Sequence, residues 1–299
     1  MVRLACLLLL WAAPAFADLL PDGQDRREVP FTVVDGKPML EVTVAGQPGQ
    51  LMLDNGTPEV VMLNRDAVLL APGQEVARGN AASGQPIIVM LHDAPELLVD
   101  GQVLALPAKV VSGDFDFVEA GFGAGFMGFL GSPAVEPHPF LVDYARKRLV
   151  ILREGTFALT SEDIRGEVVF SYWKGEQPTS VVQIGDRAML VDFDTGDNGT
   201  LYLRPETQAA LAQSGLLTGG PDLWELSSIR LGGTEFGPIP VSLVKAGGPM
   251  DFRRSGPSDF LRLGARFLAD TPTLWDFPQN RLVFLAPGAA LLADPGLPD

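Results

Sequence analysis

Two stretches of the chain share one pattern: Leu-Met-Leu-Asp-Asn-Gly at residues 51–56 and Val-Asp-Phe-Asp-Thr-Gly at residues 191–196. In each stretch, a run rich in apolar residues leads into Asp-x-Gly, and a second apolar run follows shortly afterwards. Short apolar runs bounded by turn residues are typical of β-strands. The pattern therefore predicts that one strand ends at Asp54 in the first half of the chain and another ends at Asp194 in the second half.

Two further pairs of segments repeat in the same order. Phe-Leu-Gly at 129–131 matches Arg-Leu-Gly at 262–264, and 143–150 matches 276–283, where both read Asp, aromatic, three variable residues, Arg-Leu-Val. Both pairs lie 133 residues apart and the Asp-x-Gly stretches lie 140 apart, so a loop difference of seven residues reconciles the offsets. Three matches in one order predict a duplicated domain.

The composition favours a folded, β-rich protein and excludes several functions. The 299 residues are 46% apolar, which is enough for a large core, and 33 Gly with 25 Pro imply many turns and short strands. A net charge of −15 repels nucleic-acid phosphates, so no nucleic-acid partner is expected. Two histidines and one cysteine cannot assemble a Cys/His zinc site, and we expect neither a metal nor a cofactor.

The first 17 residues have the pattern of a secretory signal peptide. A charged start at Arg3 is followed by a short leucine-rich run and by small residues that end at Ala17. The apolar run is too short to span a bilayer stably, so we expect an exported protein, periplasmic or secreted, without a stable membrane anchor. Cleavage would remove the only cysteine, Cys6, which leaves no disulfide and favours a bacterial envelope.

The doubled arrangement of apolar strand, Asp-Thr/Ser-Gly, apolar strand and later apolar-apolar-Gly resembles the aspartic proteases over about residues 29–285. The repeat within a single chain is similar to the pepsin arrangement, and the approach to Asp54 is similar to a retropepsin half. The resemblance implies an all-β fold of two duplicated, closed-barrel-like lobes with short helices and a cleft between them. It also implies a monomer that acts on a peptide or protein substrate.

The predicted organisation of the chain follows the repeat. Short helices are expected to begin near Asn64 and Pro205. The predicted segments are a signal peptide at 1–17, an N-terminal extension at 18–28, a first lobe at 29–152, a linker at 153–166, a second lobe at 167–285 and a loose C-terminal tail at 286–299.

By resemblance, Asp54 and Asp194 are the catalytic carboxylates. Two carboxylates held a few ångströms apart cannot both ionise cheaply, so they share one proton and titrate as a pair. The ionised member accepts a proton from a water between them, while the protonated member donates to the scissile carbonyl oxygen. The resemblance therefore implies an aspartic-type endopeptidase that needs no cofactor.

Further residues around the two aspartates are expected to support the site. Glycines are needed where the two loops cross close to each other, because a Cβ would collide there. The resemblance implies that Thr195 reaches across to the other lobe and that Thr57 hydrogen-bonds its aspartate. The expected supporting set is Asn55, Gly56, Thr57, Thr195, Gly196, Gly131 and Gly264.

Three residues depart from the family pattern. Asn55 replaces the usual Thr or Ser, so the bracing hydroxyl is missing on one side, although a carboxamide can still donate. Asp197 adds a third carboxylate, which would raise the pKa of the pair if it faced inward. Arg262 occupies a position that prefers an apolar residue. A flap hairpin is expected at 79–91, with its tip at 82–85 and without the tyrosine of pepsin-type flaps.

Two other functions stay open on the sequence alone. A binding protein on the same fold would hold a peptide or a cell-envelope ligand in its cleft without cutting it. A β-sandwich interaction module would carry the two Asp-x-Gly turns by coincidence, with their carboxylates far apart. The positions of the two carboxylates separate this last possibility from the others.

Overall fold

The protein is built almost entirely from short β-strands. The structure, a computed structural model, describes residues 18–80, 85–123, 125–173, 177–197, 201–203, 205–220, 223–243 and 260–293. The strands up to residue 152 are β1 (Arg26–Val34), β2 (Lys37–Val44), β3 (Gln47–Asp54), β4 (Val61–Asn64), β5 (Gln74–Asn80), β6 (Pro86–Asp93), β7 (Leu97–Val99), β8 (Gln102–Val103), β9 (Lys109–Gly113), β10 (Phe126–Gly131), β11 (Phe140–Asp143) and β12 (Arg148–Leu152).

The second half of the chain is equally rich in strands. They are β13 (Ile164–Val169), β14 (Ser171–Trp173), β15 (Gln177–Ile184), β16 (Arg187–Asp194), β17 (Leu201–Leu203), β18 (Leu217–Gly220), β19 (Leu223–Leu226), β20 (Ile229–Leu231), β21 (Thr234–Phe236), β22 (Ile239–Leu243), β23 (Phe260–Gly264), β24 (Thr273–Asp276) and β25 (Arg281–Leu285). The α-helices among the described residues are short: α1 (Asp116–Phe122), α2 (Pro205–Gln213) and α3 (Ala265–Ala269). These elements confirm the predicted all-β class.

The two Asp-x-Gly stretches lie at equivalent strand ends, as predicted. β3 pairs with β2 and ends at Asp54, while β16 pairs with β15 and ends at Asp194. Leu53 and Phe193, the residues directly before the aspartates, are fully buried. Because a slip of one residue would turn such a side chain out of the core, apolar burial fixes the register of both strands.

Each half repeats the same set of strand pairings around its aspartate. β10 runs parallel to β3 and antiparallel to β4, and β23 runs parallel to β16 and antiparallel to β17. This register sets Gly131 beside Asp54 and Gly264 beside Asp194. A Cβ at Gly131 would collide with carbonyl oxygens of the loop that follows Asp54, so the crossing of chain segments requires glycine there.

A shared sheet connects the two halves. Its strand order is β1, β12, β11, β24, β25 and β13. In its middle, β11 and β24 pair antiparallel with Leu141 opposite Leu274, which are equivalent positions of the repeat. The ring of Phe140 stacks on that of Trp275 with 5.8 Å between the centroids. The halves are therefore joined by strand pairing as well as by core packing.

The repeated Asp-aromatic-Arg segment forms the same contact in both halves. Asp143 accepts a hydrogen bond from Arg148 at 3.2 Å, and Asp276 accepts one from Arg281 at 2.8 Å. Both carboxylates are fully buried and therefore require such partners. The repeat seen in the sequence thus corresponds to one ion pair in the β11–β12 hairpin and one in the β24–β25 hairpin.

The helix predicted at Pro205 is confirmed as α2, but the helix predicted near Asn64 is wrong. The chain there forms a single turn, in which the N–H groups of residues 67 and 68 donate to the carbonyl of Asn64. The side chain of Asn64 accepts a hydrogen bond from the N–H of Phe115 at 3.2 Å and donates to the carbonyl of Phe126 at 3.1 Å. These bonds tie the turn to the neighbouring segments in place of a helix.

Both ends of the described chain pack on the body of the protein. Leu19 and Leu20 are buried, and Arg27 donates to the carbonyl of Leu19 at 2.7 Å. Residues 286–293, the start of the predicted loose tail, are also held in place: Leu292 is buried and its carbonyl accepts a hydrogen bond from Arg148. Apolar side chains at both ends thus add to the core.

The segment boundaries drawn from the sequence stay predictions. β1 begins inside the predicted N-terminal extension, and β13 begins inside the predicted linker. The predicted signal peptide, residues 1–17, lies outside the described residues. Among the helices that the structure describes, none has the length and apolar character required to cross a membrane.

Candidate active site

Asp54 lies at the end of β3, where the chain turns into the Asp-x-Gly loop. Its Oδ1 accepts a hydrogen bond from the N–H of Gly56 at 2.8 Å, and its Oδ2 accepts one from the hydroxyl of Thr57 at 2.8 Å. The N–H of Thr57 also donates to the carbonyl of Asp54 at 3.0 Å and closes the turn. Both carboxylate oxygens therefore have a fixed direction.

Asp194 occupies the equivalent end of β16 and is 5% exposed. Its Oδ1 accepts a hydrogen bond from the N–H of Gly196 at 2.9 Å, which matches the first loop. Its Oδ2 contacts the guanidinium of Arg262, whose Nη1 lies 2.8 Å away. The two aspartates thus share the contact at Oδ1 and differ in the contact at Oδ2.

Asn55 and Thr195 tie the two loops together. The Nδ2 of Asn55 donates to the carbonyl of Phe193 at 2.8 Å, and its Oδ1 accepts a hydrogen bond from the N–H of Thr195 at 2.6 Å. In return, the hydroxyl of Thr195 accepts from the N–H of Asn55 at 3.1 Å and lies 2.9 Å from the carbonyl of Leu53. Asn55 therefore bridges to the second loop through its carboxamide, in place of the hydroxyl that the sequence lacks.

The second loop passes directly against the carboxylate of Asp54. A Cβ placed on Gly196 would collide with that carboxylate, so the approach requires glycine. The structure brings all the residues named from the sequence into this one site: Asp54, Asn55, Gly56, Thr57 and Gly131 from the first half, and Asp194, Thr195, Gly196 and Gly264 from the second. The arrangement excludes a β-sandwich with two unrelated turns.

Burial, together with the nearby charge of Asp194, raises the pKa of Asp54 from its ordinary value of 3.8 to about 7. The hydrogen bonds from Thr57 and Gly56 and the charge of Arg262 oppose this shift without cancelling it. Two neighbouring carboxylates that do not both ionise are what a shared-proton pair requires. The pair of carboxylates therefore holds a proton up to near-neutral pH.

Asp197 takes the place in the second loop that Thr57 has in the first. Its N–H donates to the carbonyl of Asp194 at 3.4 Å, as that of Thr57 does to Asp54 at 3.0 Å. Its carboxylate is 9% exposed and turns to Arg262, with 3.7 Å between Oδ2 and Nη1. Arg262 meets the charge of this third carboxylate, and the raised pKa of Asp54 is caused by burial and by Asp194 instead.

Arg262 and Asp192 belong to the site, although no role in it was predicted for either of them. β16 and β23 pair in parallel with Asp192 opposite Arg262, and the Nη2 of Arg262 donates to the Oδ2 of Asp192 at 2.8 Å. Burial opposes the charge on the guanidinium, but Asp192 and Asp194 raise the pKa of Arg262 well above its ordinary value. The signal in the sequence was a charged residue between apolar neighbours in each of two strands, Asp192 between Val191 and Phe193 and Arg262 between Leu261 and Leu263. Buried charges require partners.

The hairpin predicted as a flap is present as β5 and β6, which pair antiparallel with Asn80 opposite Pro86. Residues 81–84, which include most of the predicted tip at 82–85, lie outside the described residues, so the role of the hairpin as a flap stays a prediction. Within the described ranges, no three His, Cys, Asp or Glu side chains are grouped in a way that would hold a metal ion.

Comparison with solved structures identifies the fold of the chain. No protein-family model and no curated protein matches the chain. Among solved structures, basic 7S globulin from soybean is 10% identical, with a TM-score of 0.53 over 87% of this chain and 94% of that chain. The aspartic proteinase from Irpex lacteus is 12% identical, with a TM-score of 0.56 over 87% of this chain and 97% of that chain. The chain therefore has the pepsin-like fold of aspartic proteinases, which confirms the predicted fold.

Proposed function

We propose that the protein is an aspartic-type endopeptidase, which hydrolyses peptide bonds with a water activated between Asp54 and Asp194. The observation that carries this proposal is the carboxylate pair, held on equivalent strand ends by Asn55 and Thr195, with the pKa of Asp54 raised to about 7. Carboxylates that repel each other destabilise a fold, and strongly shifted titrating groups are concentrated at functional sites.

The chemistry requires one ionised and one protonated carboxylate. The ionised member takes a proton from the water as its oxygen bonds to the scissile carbonyl carbon, and the protonated member donates to the carbonyl oxygen. The resulting tetrahedral intermediate collapses when the first carboxylate returns its proton to the leaving amine nitrogen, one hydroxyl of the intermediate gives its proton back to the second carboxylate, and the C–N bond breaks. The fixed directions of the carboxylate oxygens hold both groups in place for these steps.

The proposed substrate is an extended segment of a peptide or protein, bound by a monomer. Residues 1–17 would direct the chain to a periplasm or to the outside of a bacterial cell. The burial of Leu19 and Leu20 supports a mature chain that begins near residue 18, because both side chains belong to the core.

A binding protein without catalysis is the second candidate, and Arg262 favours it. The guanidinium of Arg262 lies 2.8 Å from Asp194, at a position where the resemblance to aspartic proteases implies an apolar residue. A cleft of this kind would hold a peptide without cutting it. The two candidates differ in one measurable event, the hydrolysis of the bound peptide.

Incubation with a peptide library, followed by mass spectrometry at about pH 3 to about pH 8, tests the proposal. Cleavage that is blocked by a hydroxyl-bearing transition-state mimic supports it, provided that Asp54→Asn and Asp194→Asn each reduce the rate at least about 100-fold. Asp186→Asn makes the same change at an exposed turn and should retain full activity. Binding of the mimic without any cleavage selects the binding protein, and cleavage that survives in Asp194→Asn overturns the mechanism.

A further inference from the structure

We infer that Arg262 is a positioning residue that keeps the carboxylate of Asp194 ionised, so that the single proton of the pair stays on Asp54. The inference rests on the proposed function and deepens it. It assigns Asp194 to accept the proton of the attacking water and Asp54 to donate to the scissile carbonyl. The two aspartates are then not interchangeable, although their backbones are equivalent.

The position of the guanidinium is fixed from two sides. Its Nε and Nη2 bind the carboxylate of Asp192, while its Nη1 points to the Oδ2 of Asp194 at 2.8 Å. A planar guanidinium held along one edge has a single orientation available to its remaining donors. The side chain of Arg262 is 8% exposed, so water screens its charge little.

The donors around the two carboxylates also differ in kind. Both oxygens of Asp194 face groups that can only donate, the N–H of Gly196 and the guanidinium of Arg262. The Oδ2 of Asp54 faces the hydroxyl of Thr57, which can donate to a carboxylate or accept from a carboxylic acid. A proton on the Oδ2 of Asp54 therefore breaks no hydrogen bond, because the hydroxyl of Thr57 can turn and accept it. A proton on the Oδ2 of Asp194 would point at an N–H of Arg262, which cannot accept it.

The first half carries no charge at the equivalent positions. Met52 corresponds to Asp192 and Phe129 corresponds to Arg262, and the two lie opposite each other in the β3–β10 pairing. Phe129 instead packs on aromatic rings, with 5.0 Å between its centroid and that of Phe115. The ionic contact is therefore a property of the second half alone, and it creates the difference between the two aspartates.

Asp194 has acidic and aromatic neighbours as well as its arginine. Among the described residues, Asp54 from β3, Tyr144 after β11 and Arg262 from β23 interact with Asp194, while Asp192 and Asp197 contact the same Arg262. Burial and the charge of Asp194 raise the pKa of Tyr144, which stays neutral. The acids repel the negative charge of Asp194, and the directly bound Arg262 attracts it.

Carbon-13 NMR of protein labelled at the aspartate carboxyl carbons tests the inference without a substrate. The two resonances are identified as those that vanish in Asp54→Asn and in Asp194→Asn. In the native protein, we expect the Asp54 carbon to shift as the pH falls through about 7. If the contact with Arg262 localises the proton as inferred, the Asp194 carbon does not shift with it. Simultaneous shifts of both carbons by similar fractions would overturn the inference.

The matched variant gives the second half the residues of the first: Asp192→Met, Asp197→Thr and Arg262→Phe. The side chains at these three positions then match those of the first half, and both carbons should shift together. Arg262→Lys keeps a cation and should keep the titration on Asp54. An arginine with only a structural role predicts the same titration in all of these proteins.

A second pair of changes covers the case in which the triple variant does not fold. Asp192→Asn with Arg262→Gln preserves the approximate size of both side chains and removes both charges, and it carries the same expectation of joint titration. If only the Asp54 carbon still shifts in this double variant, Arg262 does not localise the proton.

The titration separates this inference from the proposed function. Absence of cleavage together with titration of Asp54 alone counts against the endopeptidase and leaves the role of Arg262 in place. Cleavage together with joint titration of both carbons removes that role and leaves the endopeptidase intact.

Discussion

In the first half of the molecule, Met52 on the aspartate-bearing strand lies opposite Phe129 on β10, whereas in the second half Asp192 lies opposite Arg262 on β23. The strand pairings are the same in both halves. β10 and β23 each run parallel to the strand that carries the aspartate and antiparallel to the strand that follows it in the chain. An ion pair has therefore taken the place of an apolar pair without a change of register. The sheet sets where each aspartate lies, and these two positions set its electrostatic surroundings.

Arg262→Leu should have the largest effect on this contrast, because it leaves Asp192 and Asp194 without their shared cation. Removal of one partner from a buried ion pair costs up to about 5 kcal/mol in the free energy of unfolding. Urea denaturation at neutral pH measures the loss. Phe129→Leu, the equivalent change in the first half, should cost about 1 kcal/mol. Equal losses in the two variants would show that the ion pair contributes nothing beyond packing.

Asp54→Asn should increase stability at alkaline pH and leave it unchanged in acid. The raised pKa of Asp54 means that the native state holds a proton that the unfolded chain releases, so native stability falls as the pH rises from about 4 to about 7. The pKa shift from 3.8 to about 7 corresponds to a loss of about 4 kcal/mol in the free energy of unfolding at alkaline pH. The asparagine of the variant does not titrate and so avoids this loss. Denaturation at about pH 4 and about pH 8 measures the difference.

The control for this prediction is Asp186→Asn, which changes an exposed aspartate of the β15–β16 turn. It should have the same stability as the native protein at both pH values. A native protein whose stability does not fall between these pH values would contradict the raised pKa of Asp54.

Asn55→Ala tests the hydrogen bonds by which Asn55 of the first loop and Thr195 of the second hold the two loops together. The change leaves the carbonyl of Phe193 and the N–H of Thr195 without their partners in a buried place, at a cost of about 3 kcal/mol. Asn55→Thr gives the first loop the residue of the second and should lose less. A double-mutant cycle with Thr195→Ala measures the coupling, and strictly additive losses would contradict a shared brace.

Gly196→Ala should have the smallest effect on stability of these changes, and it should displace the carboxylate of Asp54. The added methyl group collides with the carboxylate of Asp54, and overpacking of this kind costs about 2 kcal/mol. Gly79→Ala in β5 meets no atom within 4 Å and is the matched control. Thermal unfolding compares the two, and NMR of the labelled carboxyl carbon reports whether Asp54 has moved. An unmoved Asp54 resonance would contradict the contact.

The positions of the two aspartates followed from the sequence because apolar periodicity and turn residues are local signals. Leu53 and Phe193 mark strands that must be buried, and the residues after each aspartate mark a turn. The two later glycines followed from the repeat. The fold of the central part of each half could therefore be predicted without any knowledge of long-range contacts.

The rest of the site depends on contacts between segments far apart in the chain. Asp192 and Arg262 are separated by 70 residues, and only the pairing of β16 with β23 makes them neighbours. The carboxamide of Asn55 could be expected to donate, but the partner it finds in Phe193 is fixed by the way the loops meet. The helix predicted near Asn64 is wrong for the same reason, because the side chain of Asn64 binds distant backbone groups and not those of a helix.

The pairing of β11 with β24 has a consequence for how the two halves associate. Leu141 lies opposite Leu274, and these are the same position of the repeated segment, so the contact has the geometry of an isologous interface within one chain. A side chain that changes at either position meets its own counterpart across the local dyad. Each half therefore has a strand edge that pairs with the equivalent edge of the other half, and the covalent connection between the halves makes this pairing intramolecular.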